Sequence, residues 1–225
     1  MAKSLVVLEH VSRHFFPGGE KISALLDASC TVRTGDRIAI MGPSGSGKST
    51  LLALMAKLDE PSEGRVSWPS VDGSNHLRPR HIGVAFQSSS LIPSLSVIEN
   101  IEVPLLILGE TNDMRKRAMA VLDIVGLGGL ADRLAEDISG GQAQRVGLAR
   151  ALVSHPKIIL ADEPTGQLDQ DTASDLVRAL LTHAEKTRAA LVIATHDPSV
   201  ARHMTCIWRV DYGLLTTSHM ADVAS

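Results

Sequence analysis

An α/β fold built on a mainly parallel sheet, with a small antiparallel β-subdomain at the front and a helical subdomain inserted in the middle, is the architecture this sequence predicts. Three observations predict it. Four apolar runs, 38–41, 82–86, 158–161 and 190–194, are short, rich in branched residues and unalternating, as strands covered on both faces tend to be. The stretch 88–155, between the second and third runs, has little strand character and reads in helical periods. The front segments 5–11, 22–32 and 64–68 carry strand-and-turn chemistry, with Pro17-Gly18-Gly19 as a hairpin signal. There is no internal repeat and no low-complexity linker. We therefore expect one domain over 1–225, with core and β-subdomain at about 1–87 and 156–225 and the helical subdomain at about 88–155.

Taken in order, the first chemistry-bearing element is the segment Gly42-Pro43-Ser44-Gly45-Ser46-Gly47-Lys48-Ser49. A buried strand over 37–41 enters it, and an apolar helix over 49–58 leaves it. The pattern of Gly, four residues, then Gly-Lys-Ser is that of a phosphate-binding loop. Its glycines let successive backbone N–H groups curl around β- and γ-phosphates while Lys48 supplies a positive charge. Ser49 would place its hydroxyl on Mg²⁺. Strand, loop and helix in that order set the phosphates at a helix N-terminus, where unpaired N–H groups and the dipole both favour anions.

Within the insertion the spacing predicts helices over 113–125, 130–137 and 141–153, the last with Val146, Ala149, Leu152 and Val153 on one face. Ser139-Gly140-Gly141-Gln142 precedes it, so Ser139 can cap that helix while the two glycines permit close approach by a phosphate. The run 157–161 then ends in Asp162-Glu163. In open α/β sheets ligands sit beyond the carboxyl ends of strands. There Asp162 would hold Mg²⁺ directly or through water, and Glu163 would align or deprotonate the attacking water. Without a phosphate loop upstream, the same pair would read as a solvated strand end.

Composition narrows the function classes. Of 225 residues 44% are apolar, ample for one substantial core. The net charge of −3, from 22 basic and 25 acidic residues, provides no basic field of the kind sequence-independent nucleic-acid binding needs, so no direct nucleic-acid binding is expected. Cys30 and Cys206 lack the spacing of zinc or redox pairs and read as idle thiols. The first residues lack a secretion signal's apolar region, and no stretch reaches the ~20 apolar residues of a membrane helix. The best candidate for one, 101–108, is short and carries Glu102 and Pro104. The chain is expected in the cytosol, with any membrane role borrowed from a partner.

At Ser139-Gly140-Gly141-Gln142 the sequence resembles the ATP-binding subunits of ABC transporters, whose signature is Leu-Ser-Gly-Gly-Gln; Ile138 stands in place of the leucine. The resemblance covers almost the whole chain, with the motifs in the family's order. It implies the phosphate-loop NTPase core of an ABC ATPase, with ATP held by the segment from Gly42 through Thr50. It also implies an aromatic stacked on adenine, Phe15 or Phe16, with Phe where Tyr is usual; Phe16, just before Pro17-Gly18, is the expected one. Gln87 is similar to the glutamine that senses Mg²⁺ and the attacking water and couples to the membrane subunit. The loop 166–169, ending in Asp169, resembles the one that crosses between two ATP sites, and His196 matches the switch histidine on the γ-phosphate. The implied machine is a homodimer closed over two ATPs with Mg²⁺, each site completed by the other chain's signature. It would lie on the inner face of the cell membrane, attached to integral permease subunits.

The stretches 164–169 and 100–104 look like the lipoprotein-releasing, macrolide-exporting and cell-division group, although Gln167 stands where that group usually has Asn and Ala143 where a larger residue is common. A docking surface is expected just after Gln87, in 88–97, where Leu91, Ile92 and Leu95 are apolar residues in a polar loop. The rival reading packs them inside the helical subdomain. Another class of function, a mechanical or regulatory ATPase acting on DNA, ribosomes or a cell-wall hydrolase, lacks its usual marks: a long coiled coil, zinc cysteines or a second such domain. A transmembrane partner that signals without transporting fits the residues equally well.

Overall fold

The computed structural model describes residues 2–71, 77–88 and 90–219. In chain order the elements are β1 (Ser4–Phe15), β2 (Ile22–Arg33), β3 (Arg37–Met41), α1 (Lys48–Met55), β4 (Glu63–Ser67), α2 (Leu77–Arg80), β5 (Ile82–Ala85), α3 (Val97–Ile107), α4 (Met114–Ile124), α5 (Gly140–Leu152), β6 (Ile158–Asp162), α6 (Gln170–Thr187), β7 (Ala190–Thr195), α7 (Pro198–Ala201), β8 (Cys206–Asp211) and β9 (Leu214–His219). The chain divides into two compact units, Met1–Asn75 with Ala190–Ser225, and His76–Ala189.

In the first unit the strands run in the order β4-β1-β2-β9-β8-β3-β7. β3 is flanked by β7 and β8, both parallel to it, and Ile38, Ala39 and Ile40 are fully buried, as an unalternating apolar run requires. β1 pairs antiparallel with β2 and β4. The antiparallel front sheet expected beside the core is present. It is joined to the core edge to edge, because β2 meets β9 at Leu26↔Leu214 and β9 returns antiparallel to β8. The helix expected over 49–58 stops at Met55. Lys57 adopts a left-handed φ of 54°. The Leu58 N–H then reaches back to the Ala53 carbonyl (2.8 Å) and the Lys57 N–H to Leu54 (3.1 Å), a Schellman closure.

In the second unit β5 and β6 pair in parallel from Ile82↔Ile158 to Ala85↔Ala161. α3, which the sequence reading left out, begins with a capping box: Ser96 Oγ accepts from the Glu99 N–H (3.3 Å) and Glu99 accepts from the Ser96 N–H (2.7 Å). The helix expected over 130–137 is replaced by 3₁₀ turns at Gly128–Leu130 and Ala135–Asp137. The cause is competition for backbone groups. The Arg133 and Ala131 carbonyls accept from Val97 N–H (2.8 Å) and Ile98 N–H (3.0 Å), the unpaired first-turn donors of α3. α6 was also not anticipated, although Ala173, Leu176, Val177, Leu180 and Ala184 form one buried stripe at helical spacing.

Candidate nucleotide site

In the first unit the phosphate loop is held from behind by two other strands. Gly47, at φ 113°, caps α1, and a Cβ there would lie 2.2 Å from the Ala24 carbonyl oxygen on β2. A Cβ on Gly42 would lie 2.1 Å from the Val210 carbonyl oxygen on β8. Only glycine lets the loop seat this closely. The Gly213 N–H, in the turn between β8 and β9, donates to the Ser46 carbonyl at 3.1 Å. With the back of the loop fixed, the first-turn N–H groups of α1, which have no partner four residues earlier in the helix, converge on one place.

Lys48 is buried, and its ammonium group donates to the carbonyls of Gly42 (2.8 Å) and Pro43 (2.9 Å). The charge is thus held across the loop itself. Ser46 Oγ is buried with no hydrogen-bond partner among the described residues, a donor suited to an acceptor-rich ligand such as a polyphosphate.

The register Met41↔Thr195 brings the carboxyl ends of β3 and β7 level, so Gly42 and His196 are the next residues on neighbouring strands. His196 is exposed. It is followed by Asp197, whose carboxylate accepts from the Ser199 N–H (2.7 Å) at the start of α7; bonding to Ser199 holds that carboxyl below the usual range. At the tip of the first hairpin, Phe15 is 39% exposed and lies under the Arg13 guanidinium at 4.6 Å, an arrangement fixed by the Arg13–Asp59 pair at 2.7 Å. Phe16 is 62% exposed.

The second unit brings the other motif residues together. Past the paired Ala85↔Ala161, β5 continues through Phe86 to Gln87 and β6 through Asp162 to Glu163, so Gln87 and Glu163 sit at corresponding points beyond neighbouring strands. Glu163 adopts a left-handed φ of 47°, which turns the chain sharply off the strand. Its carbonyl accepts from the Gly166 N–H (3.1 Å) and from Gln144 Nε2 (2.7 Å). Gln144 Oε1 accepts in turn from the Gln167 N–H (3.3 Å). Asp169 caps α6 through Thr172, accepting from its N–H (3.0 Å) and its hydroxyl (2.7 Å), and those bonds hold its carboxyl below the usual range.

Ser139 caps α5, accepting from the Gln142 N–H (3.3 Å) while Gln142 Oε1 accepts from the Ser139 N–H (2.9 Å). The Gln142 carboxamide is therefore engaged in the cap. Gly140 and Gly141 let the front of the helix approach Gln167: a Cβ would lie 2.6 Å from the Gln167 Oε1 on Gly140 and 2.9 Å from the Gln167 carbonyl oxygen on Gly141.

The expected docking segment divides. Ile92 is exposed, Leu91 and Leu95 are half-buried, and Ser89 lies outside the described residues. Its shape is set by Asn100, which is fully buried on α3. Asn100 accepts from the Ile92 N–H (2.8 Å) and donates to the carbonyls of Ile92 (3.1 Å), Leu95 (3.2 Å) and Ser96 (3.0 Å).

Sequence reasoning missed both Asn100 and Gln144. A signal existed in each case: a polar side chain on an otherwise apolar helical stripe, with Gln144 in line with Leu148 and Ala151 on α5.

The ABC transporter family pattern matches residues 25–166. The chain belongs to the ABC transporter family. It is an ATPase cassette of that family, and its relatives are similar along nearly their whole length. The lipoprotein-releasing system ATP-binding protein LolD of Rickettsia bellii (strain RML369-C) is 37% identical over 97% of this chain and 100% of its own. The ABC transporter ATP-binding protein YbbA of Escherichia coli (strain K12), itself described as uncharacterized, is 39% identical over 89% of this chain and 91% of its own. Among solved structures, the bacterial ABC transporter cassette MJ0796 in dimeric form superposes with a TM-score of 0.89 at 35% identity, covering 96% of this chain and 99% of that one. The same cassette is known as a dimer in a post-hydrolysis state bound to ADP and Pi. Among the described residues no helix is long and apolar enough to cross a membrane.

Proposed function

We propose that this chain is the ATP-hydrolysing subunit of a membrane ABC complex, pairing with a second copy over two ATPs and driving extraction of a lipoprotein or peptide substrate. The observation that carries the reading is the glycine-seated phosphate loop with Lys48 across its mouth, in a chain similar over 97% of its length to a lipoprotein-releasing system ATP-binding protein. Lys48 and the α1 N-terminus take the β- and γ-phosphates, with Gly42 through Thr50 as the cradle. Phe16 stacks on adenine, since the Phe15 ring is already covered by Arg13.

Mg²⁺ suits the candidate donors by their chemistry. The Ser49 hydroxyl, the Asp162 carboxylate and the Gln87 carboxamide are all hard oxygen ligands, and Mg²⁺ takes the rest of its shell from phosphates and water. When bound, the ion would neutralise charge developing on the phosphates. Glu163 accepts the proton of the attacking water, His196 contacts the γ-phosphate, and Gln87 reports its presence to the permease side. Ser139, Gly140, Gly141 and Gln142 present the front of α5 to the ATP of the other copy, and Asp169 orders the loop between the sites. A subunit of this kind works on the cytoplasmic face, held there by integral permease subunits.

Glu163→Gln tests the core of this reading. Loss of a positioned general base lowers hydrolysis by roughly 10²-fold or more while ATP binding persists. Size exclusion with ATP then gives a long-lived dimer of the variant, against a mainly monomeric wild type without nucleotide. Hydrolysis by the variant at the wild-type rate excludes Glu163 as the catalytic carboxylate.

A further inference from the structure

Gln144 lies two residues past the signature, on the buried face of α5, and is 5% exposed. Its carboxamide has one orientation. The Gln167 N–H can only donate, so the atom facing it at 3.3 Å is Oε1, and Nε2 faces the Glu163 carbonyl at 2.7 Å. One side chain thus grips two points of the segment that follows β6: the sharp left-handed turn at Glu163 and the loop leading to Asp169. The front of α5 is packed on the same loop, since a Cβ on Gly141 would lie 2.9 Å from the Gln167 carbonyl oxygen. The signature helix and the Glu163 turn therefore move as one piece within a chain.

We propose that Gln144 is a positioning residue for hydrolysis: by clamping the Glu163 carbonyl to α5 it sets the direction of the Glu163 side chain and makes that direction follow the signature helix. The proposal rests on the assignment of Glu163 as the base. Whatever displaces the signature, including its engagement with nucleotide on another copy, reaches Glu163 through this carboxamide. Positive φ at a residue with a full side chain persists only where the surroundings over-determine it, and here Gln144 and the Gly166 N–H share that duty.

The test compares the full-length Gln144→Leu and Gln144→Glu variants with wild type and Glu163→Gln. For Gln144→Leu, which keeps bulk and removes both bonds, kcat falls by roughly 10- to 100-fold, as sub-ångström misplacement of a reacting group does. The KM for ATP stays within about twofold, because nothing that contacts phosphate in the proposed function has changed. Gln144→Glu separates positioning from bulk support. Ionised, its carboxylate faces the Glu163 carbonyl and cannot donate. Protonated, its hydroxyl restores the bond. Burial raises the pKa of such a carboxyl, so activity relative to wild type rises as pH falls from about 8.5 to about 6. A ratio flat with pH, or a Gln144→Leu enzyme with wild-type kcat, overturns the clamp if Glu163→Gln is inactive alongside. An active Glu163→Gln removes the base assignment and this proposal with it.

Discussion

The Asn100 carboxamide closes on both backbone groups of Ile92, accepting from its N–H at 2.8 Å and donating to its carbonyl at 3.1 Å. Eight residues of separation are spanned by one buried side chain, which also ties down the carbonyls of Leu95 and Ser96. The segment 91–96 is therefore a fixed shape on the outside of α3.

Asn100→Ala should remove that support and leave the Ile92 N–H without its acceptor, while the carbonyls of Ile92, Leu95 and Ser96 keep the backbone donors of Leu95, Ala135 and Asn100. Losing the acceptor of one buried N–H costs about 1–3 kcal/mol. Urea unfolding monitored by circular dichroism measures it, and a loss below about 1 kcal/mol would show the loop to be held by other contacts.

Charge placed on this segment should act differently. The double variant Leu91→Glu, Leu95→Glu is expected to abolish copurification with a membrane partner while leaving soluble ATPase activity and Tm nearly unchanged. Because both residues are half-buried, Ile92→Glu serves as the exposed control. A large fall in Tm for the double variant assigns Leu91 and Leu95 to the core, and intact partner binding moves the docking site elsewhere.

Gly47→Ala should defeat the phosphate loop without touching its charged groups. The new methyl would lie 2.2 Å from the Ala24 carbonyl oxygen at a φ of 113°. Strain of this kind costs on the order of 1–3 kcal/mol, so the loop relaxes forward and its N–H groups no longer converge. ATP affinity measured by isothermal titration is expected to fall at least tenfold, by the 1.4 kcal/mol that a tenfold change represents. Unchanged affinity would place the nucleotide elsewhere.

Acid sensitivity should trace in part to His183. Burial, followed by the charges of His155 and Lys186, pushes its pKa below the ordinary value of 6.5; burial and Arg117 do the same for His155, whose ring stacks on it at 6.2 Å. The unfolded chain therefore binds more protons than the folded one at pH values just under 6.5, and stability falls as pH drops through that range. His183 Nε2 is buried with no hydrogen-bond partner among the described residues, so His183→Leu gives up little at pH 7. The variant is expected to show a shallower decline of Tm from pH 7 to pH 5. A slope equal to wild type would refute the assignment. The carboxyls of Asp169, Asp197 and Glu99, held below their ordinary values by hydrogen bonds, add their own loss as pH falls through the ordinary carboxylate range and below it.

The legibility of this chain followed the period of each segment. β3, β6 and β7 were readable because full burial leaves an unbroken apolar run, and the phosphate loop because only glycine spacing of that kind wraps an anion. α3 was obscured by Glu102, Pro104 and the buried Asn100, each of which breaks the apolar stripe for a tertiary reason. The stretch 130–137 has a helical pattern, but its carbonyls are taken by Val97 and Ile98, and no local pattern records such a bond. β8 and β9 alternate legibly and were overlooked; without them the join between front sheet and core could not be read. Of the site, the motif residues were legible, and Gln144 was not, since its partners lie at Glu163 and Gln167.

The backing of the phosphate loop carries one more consequence. β3 is paired on both sides by strands from the far end of the chain, and the Arg37 carbonyl accepts from Thr205 Oγ1, 168 residues later. Val210 and Gly213 then close against Gly42 and Ser46. A ribosome making this protein exposes the complete Gly-Lys-Ser sequence early, with the Ala24 wall already made, yet the walls at Gly42 and Ser46 come only once translation has passed Gly213. Nucleotide capture is thereby reserved for finished chains, and stalled products ending before Cys206 should wash freely through an ATP-agarose column.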